Sequence, residues 1–264
     1  MRPAARRPYG PRMVTGDDDG YFPESIAADY DRSSASMFTP EALGPTVGLL
    51  AGLAGEGPAV EFGIGTGRVA LPLAARGVAV HGIDLSRAMV DRLRAKPGGE
   101  RIPVTIGDFA TARADGAGGF SLAYLVFNTI GNLTSQDAQV DCFVNAAAHL
   151  APGGTFVVEV GVPELRLLPY GQEAVPFQVG DTRWAFDRYD TATQAMSSNY
   201  FSVDPGTGEG TFWSIPFRYV WPSELDLMAR IAGLRLRERW EGWAREPFTS
   251  ESRTHVSVWE KPAD

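Results

Sequence analysis

The run Ala59-Val-Glu-Phe-Gly-Ile-Gly-Thr-Gly-Arg68, followed by a second apolar run that ends at Asp84, leaves few folds open to this chain. It reads as a buried strand, a glycine-rich turn, a helix, a second strand and an acid. That is one nucleotide-binding half of a doubly wound α/β sheet. Glycines let the backbone come close to a ligand, and an acid at the end of the next strand can accept hydrogen bonds from ribose hydroxyls. Glu61 stands just before the turn, Asp84 ends the second strand, and Asp108-Phe109 follows the third. All three positions are carboxyl ends of parallel strands, where open α/β sheets bind ligands. The glycine spacing departs from the dinucleotide fingerprint: the third glycine arrives one residue early, and Arg68 holds the place of the close-packing glycine. A carboxylate at Glu61 would repel a pyrophosphate, yet it suits an ammonium or a sulfonium cation.

The rest of the chain continues the pattern. Helices are expected over 23–34, 39–53, 68–75, 135–150 and 223–232, with a further one capped by Ser86 and carrying Met89. Strands are expected over 58–62, 78–84, 103–106, 120–126 and 155–160, then 234–240 and 254–259. Between them, 161–221 shows period-two patterning: Trp213, Ile215, Phe217, Tyr219 and Trp221 alternate, as do Trp184 and Phe186, and Tyr200-Phe201 sits in another candidate strand. The expected architecture is a Rossmann-like α/β domain over 21–160 and 222–264, with an antiparallel β insertion over 161–221 and a disordered tail over 1–20. The insertion is either a substrate lid or a dimer contact.

Composition narrows the function classes. With 264 residues and 44% hydrophobic side chains, a large core is affordable in area. A net charge of -8 speaks against nucleic acid as the partner. Cys142 is the only cysteine, so no internal disulfide exists and a cytoplasmic setting is expected. No apolar run has the length of a membrane span. His81, His149, His255 and Cys142 do not form a metal-ligand set.

These motifs resemble those of class I S-adenosylmethionine-dependent methyltransferases. Glu61-Phe-Gly-Ile-Gly-Thr-Gly67 looks like that family's first motif, Gly82-Ile-Asp84-Leu-Ser86 like its second, and Gly107-Asp108-Phe109 like the segment beside adenine. His149-Leu-Ala-Pro-Gly-Gly154 looks like the turn before the fifth strand. The chain is most similar to small actinobacterial methyltransferases of natural-product pathways, including amino-sugar N-methyltransferases, which also carry a β insertion after the fifth strand. The resemblance implies a seven-stranded sheet with a reversed last strand. It implies that Gly63, Gly65 and Gly67 pass beneath the methionine moiety, that Asp84 holds the ribose, and that Asp108 and Phe109 meet the adenine. Tyr30, Leu85, Met89 and Phe127 complete the implied S-adenosylmethionine site.

The expected reaction is methyl transfer to an N or O atom of a small molecule. Asn128, in the loop after the fourth strand, can accept from an amine or donate to an oxygen. Asn128, Tyr30 and His255 are the candidate catalytic residues; Tyr21, Asn128, Trp184, Tyr200 and Trp213 are the candidate acceptor contacts. The alternatives are a nicotinamide-dependent oxidoreductase and a methyltransferase-like fold that binds the cofactor without methylating. No nucleic acid, membrane or metal is expected as a partner, and a homodimer is compatible with the aromatic-rich insertion.

Overall fold

The computed structural model describes Phe22 and residues 24–263; Tyr21 and the tail before it lie outside the described residues. Two helices lead in: α1 (Glu24–Ser33) and α2 (Pro40–Ala54). The entry of α2 follows from sequence, since Pro40 sits at its first turn and the Thr39 hydroxyl accepts from the Ala42 N–H. Then come β1 (Ala59–Phe62), α3 (Ala70–Ala75), β2 (Val80–Asp84), α4 (Arg87–Arg94), β3 (Val104–Ile106), β4 (Phe120–Leu125), α5 (Gln136–His149) and β5 (Leu150–Gly161). Ser86 and Ser135 cap α4 and α5 through bonds from Met89 N–H and Ala138 N–H. After β5 run β6 (Ala174–Val179), β7 (Arg183–Tyr189), β8 (Ala195–Val203) and β9 (Gly210–Arg218). The chain closes with α6 (Pro222–Ile231), β10 (Arg235–Trp240) and β11 (Thr254–Glu260).

The main sheet has seven strands in the order β10-β11-β5-β4-β1-β2-β3. β11 alone is reversed, pairing antiparallel with both β10 and β5. Its faces carry two cores. One packs Phe143 of α5 and Leu225 and Met228 of α6 on Phe156, Val158 and Trp259. The other packs Leu43, Val47 and Leu50 of α2 and Leu73 of α3 on Leu122, Tyr124 and Val258. β4 is apolar on both faces because both are covered. β5 starts earlier than expected: Leu150 already pairs with Phe120, and the Pro-Gly-Gly segment is a bulged part of the strand rather than a turn before it.

The second sheet is antiparallel, in the order β6-β7-β8-β9. Its register sets its faces. Trp184 opposes Phe201, whereas Ala185, Tyr200 and Trp213 oppose one another in the next row, on the other side. Where β9 meets the main sheet, Arg218 is buried with the carboxylate of Glu224. Its guanidinium donates to Gln139 Oε1 (2.5 Å), Gln194 Oε1 (2.9 Å) and Glu224 Oε1 (2.7 Å). Burial would raise the Glu224 pKa, but bonds from Gln194, Arg218 and Gln136 outweigh it and hold the carboxyl below its ordinary value. Arg218→Ala would strand these acceptors in a dry site. It is expected to lower stability by about 3–5 kcal/mol, visible as a lower urea midpoint. Arg218→Lys should recover only part of this, because an ammonium cannot reach three partners in one plane.

Candidate functional site

The site lies at the carboxyl edge of β1, β2 and β4. Gly63, Gly65 and Gly67 all have positive φ (71°, 54° and 80°), which explains the three glycines in backbone terms. Their surroundings differ. A Cβ on Gly63 would lie 2.7 Å from Thr129 Cγ2, and one on Gly67 would lie 2.3 Å from Leu93 Cδ1. Those two glycines are needed by the packing itself. A Cβ on Gly65 would meet only Met89 Cε, at 3.4 Å, and otherwise point into open space. Gly65 is therefore the position where a ligand can come against bare backbone.

Asp84 ties this turn to the next helix. Its Oδ2 accepts from Gly65 N–H (2.6 Å) and its Oδ1 from Ser86 N–H (2.9 Å). Carboxylate oxygens can each accept more than one bond, so the same group suits a vicinal diol. Leu85 beside it is 47% exposed, an apolar surface open to a flat ring. Asp108 Oδ1 accepts from Ala110 N–H (2.8 Å). Phe109 departs from expectation. Its ring is buried against Phe62, with only an edge toward Gly63, and its carbonyl is held by Asn145 Nδ2 (2.7 Å).

Glu61 lies beneath the turn, 2% exposed, and accepts a bond from the Tyr124 hydroxyl (3.0 Å). Burial pushes its pKa up to about 8; the Tyr124 bond and the Arg68 charge oppose this, and Asp84 adds to it. The same burial, together with Glu61, pushes Tyr124 well up. Burial thus favours the protonated acid over the carboxylate, a bias that the bare motif does not reveal.

α1 covers the site. Tyr30 and Phe22 pack edge to face and rest on Met89 and Ala88 of α4. Asp31 accepts from the Thr66 hydroxyl (2.6 Å) and pairs with Lys96, whose ammonium donates to the Thr66 carbonyl (2.8 Å). This latch was missed in the sequence; its only signal is that Lys96 is one of two lysines in the chain. Arg68 lies over the exposed Phe127 ring at 5.1 Å. The space enclosed by Tyr30, Glu61, Gly65, Arg68 and Phe127 is about 40 Å³, little more than one water's share. The cover has to shift for a nucleoside to enter. A larger opening of about 630 Å³ lies at the opposite edge, lined by Pro58, Val78, Pro103 and Phe120 among others. It is mainly apolar and holds none of the acids that the strand ends place together, so the carboxyl edge is the better site despite its smaller volume.

The other candidates separate. Tyr30 and Phe127 reach the cleft, and Asn128 sits between the cleft residues Phe127 and Thr129. Tyr200 and Trp213 stack at 5.1 Å, with the Arg183 guanidinium over both rings. Followed along β9, their face reaches Phe217, whose ring packs where Gly131 leaves room. Across to β7 it includes Tyr189, which packs with Leu165 and Leu168. It therefore overlooks the loops that follow β4 and β5. Trp184 is corrected: alternation sends it to the opposite face, against Phe201 (5.9 Å between centroids). His255 is corrected as well. It is 0% exposed, its Nδ1 meets Ser257 Oγ (2.8 Å), and burial lowers its pKa to about 3. His149 is buried between Asn145 O and Ala114 N–H, and burial lowers its pKa. Tyr21 lies outside the described residues. Among the described residues no cluster could hold a metal, and no helix is long and apolar enough to cross a membrane.

Similarity to known proteins agrees with this geometry. A family model described as a methyltransferase domain matches residues 59–154. The chain is 35% identical to the CcbJ methyltransferase of Streptomyces caelestis, with a TM-score of 0.81 over 94% of this chain and 100% of that one. It is 28% identical over 255 residues to the cypemycin N-terminal methyltransferase of a Streptomyces species, covering 92% of this chain and 99% of that protein. An amino pentose methyltransferase from Micromonospora echinaspora, solved with S-adenosylmethionine bound, shares the fold: TM-score 0.63, 18% identity, 88% of this chain and 96% of that one. The nicotinamide alternative gains no support from any of these.

Two outcomes follow for the site. Gly65→Val and Asp84→Ala should each weaken S-adenosylmethionine binding by roughly ten- to a hundredfold, from lost room in one case and lost charge-assisted bonds in the other; calorimetry reads this directly. Glu61 gives a pH signature without ligand. Its folded pKa of about 8 lies above the ordinary carboxylate value of about 4.3. Its contribution to stability is therefore full below the ordinary value and is lost as pH rises through about 8. Melting temperature should fall across that window in the wild type relative to Glu61→Gln.

Proposed function

We propose an acceptor on the premise that this chain belongs to the S-adenosylmethionine-dependent methyltransferases: it methylates the nitrogen of a small-molecule amine in specialised metabolism. The cofactor supplies a methyl group already activated by the sulfonium charge. Gly65 gives it room, the Asp84 carboxylate suits its ribose, Leu85 its ring, and Glu61 its positive end. What remains for the chain is to orient the acceptor and exclude water, and positioning of this kind is worth about 7–11 kcal/mol in favourable cases.

The observation that favours nitrogen is the placement of the histidines. His149 and His255 are both fully buried, and His81 rests against Phe120 at the opposite edge of the sheet. An alcohol or phenol needs a base to become a nucleophile; a neutral amine carries its lone pair already. The names of similar proteins point the same way, with an N-terminal amine in one and amino or N-methylated sugars in others. Tyr200 and Trp213, on the face that overlooks the loops after β4 and β5, are the proposed wall for the acceptor's body. The lone, buried Cys142 agrees with a cytoplasmic reaction.

Release of S-adenosylhomocysteine in the presence of an amine panel tests the reading. Turnover is expected with at least one amine and with none of the matched alcohols. Turnover of the alcohols alone would overturn it, as would cofactor binding without turnover of any acceptor. Trp213→Ala should raise KM for the accepted amine about tenfold or more, through loss of an apolar contact, with little change in cofactor affinity.

A further inference from the structure

We infer that the acceptor is amphoteric. The carboxylate of Asp187 receives its amine, and the guanidinium of Arg183 receives an oxyanion (carboxylate or phosphate) at its far end, with a flat or apolar body lying on Tyr200 and Trp213 between them. The inference rests on the methyltransferase reading above and specifies its substrate: a molecule with a second, remote charge that a plain amine lacks.

The register of the second sheet puts these groups on one face. Arg183, Ala185 and Asp187 alternate along β7 and share a side. Ala185 lies in one row with Tyr200 and Trp213, and Asp187 in the next with Ser198 and Ile215. The Asp187 carboxylate stays in its own row, because its Oδ1 accepts from the Ser198 hydroxyl at 2.6 Å. The Arg183 guanidinium reaches over the aromatic row, 5.7 Å from the Tyr200 centroid and 5.6 Å from that of Trp213. Successive rows on one face are about 7 Å apart along a strand. The spacing is too wide for the adjacent ammonium and carboxylate of an α-amino acid, and it fits groups at opposite ends of a ring.

Neither charge is answered by the protein. Among the described residues Asp187 has no cationic partner and Arg183 no carboxylate. Both are half-buried, and Arg183 Nε is buried without a hydrogen-bond partner. Burial raises the Asp187 pKa, the Ser198 bond opposes this, and the Glu164 charge adds to it. Ions held this way cost the fold stability, and a ligand that brings both counter-charges removes that cost. Contact with the rings uses the faces of the guanidinium and leaves its edge donors for an oxyanion. The order of the two ends follows from place. The row beyond Asp187 holds Tyr189 and Phe217, which pack with Leu165 after β5 and at Gly131 after β4. Gly131 stands two residues after Thr129 of the cleft. Asp187 is therefore the charge nearer the methyl donor. An amine can donate its N–H to a carboxylate and keep its lone pair free, so Asp187 orients the nucleophile without blocking it.

Calorimetry on the full chain saturated with S-adenosylhomocysteine supplies the test. The probes are para-(aminomethyl)benzoate and its phosphonate counterpart, which carry both charges, and benzylamine and para-toluate, which carry one each. The wild type should bind one of the two-charge probes at least tenfold more tightly than either single-charge probe, and the tighter of the pair names the oxyanion. Asp187→Asn keeps an oxygen for Ser198 and removes the charge. It should weaken the two-charge probes and benzylamine roughly tenfold, the worth of a charge-assisted hydrogen bond, and leave para-toluate unchanged. Arg183→Met keeps an unbranched chain beside the rings and removes the guanidinium; it should weaken the two-charge probes and para-toluate and leave benzylamine unchanged. Affinity for S-adenosylhomocysteine should change less than twofold in both, and Asp187→Asn should not lower the melting temperature. Equal affinity for all probes in the wild type, binding of none, or the same loss for every probe in both variants would overturn the inference. If S-adenosylhomocysteine itself does not bind, the methyltransferase reading falls separately, and the probe pattern in the same protein still decides the charge pair.

Discussion

The carboxylate of Asp84 is the constraint on which the site depends. By accepting from Gly65 N–H and Ser86 N–H at once, it joins the glycine turn after β1 to the first turn of α4 after β2. Ser86 then passes the connection on: its hydroxyl accepts from Met89 N–H and donates to the Phe22 carbonyl ahead of α1. Three segments distant in sequence are fixed relative to one another by two short side chains. The geometry that would receive a nucleoside is thus built before any ligand arrives, which is the condition for binding energy to go into orientation.

The same economy governs the second sheet. It could have hung from the main domain as a loose hairpin array, but the buried group of Arg218, Glu224, Gln139 and Gln194 anchors its last strand to α5 and α6. Phe217, the residue before, packs at Gly131 in the loop that follows β4. The aromatic face bearing Tyr200 and Trp213 is therefore tied to the loop that carries Asn128. Fixing one fixes the other, so the proposed acceptor wall and that loop keep a set relation to each other.

Much of the fold was legible because its signals are local. The glycine turn, the caps at Thr39, Ser86 and Ser135 and the apolar runs of β1 and β4 each announce themselves within a few residues. The match in order and type extends to the reversed final strand, which only the family resemblance implied. What was not legible depends on distant partners. The raised pKa of Glu61 comes from burial that only the assembled fold provides, against the opposing bond from Tyr124 of another strand. The burial of His255 follows from the insertion of β11 between β10 and β5. Alternation put Trp184 and Tyr200 in separate candidate strands; only the register between β7 and β8 shows that the strands pair and that the two rings lie on opposite faces. Phe109 was read as a ring against adenine, yet the core beside Phe62 claims most of its surface.

A crystal structure of the chain with S-adenosylhomocysteine is the most direct measurement. The account predicts the nucleoside at the carboxyl edge, its ribose hydroxyls on the Asp84 carboxylate and its ring on Leu85, with Tyr30 displaced to admit it. A nucleoside seated in the opening at the amino ends of the strands, or one that makes no contact with Asp84, would contradict it.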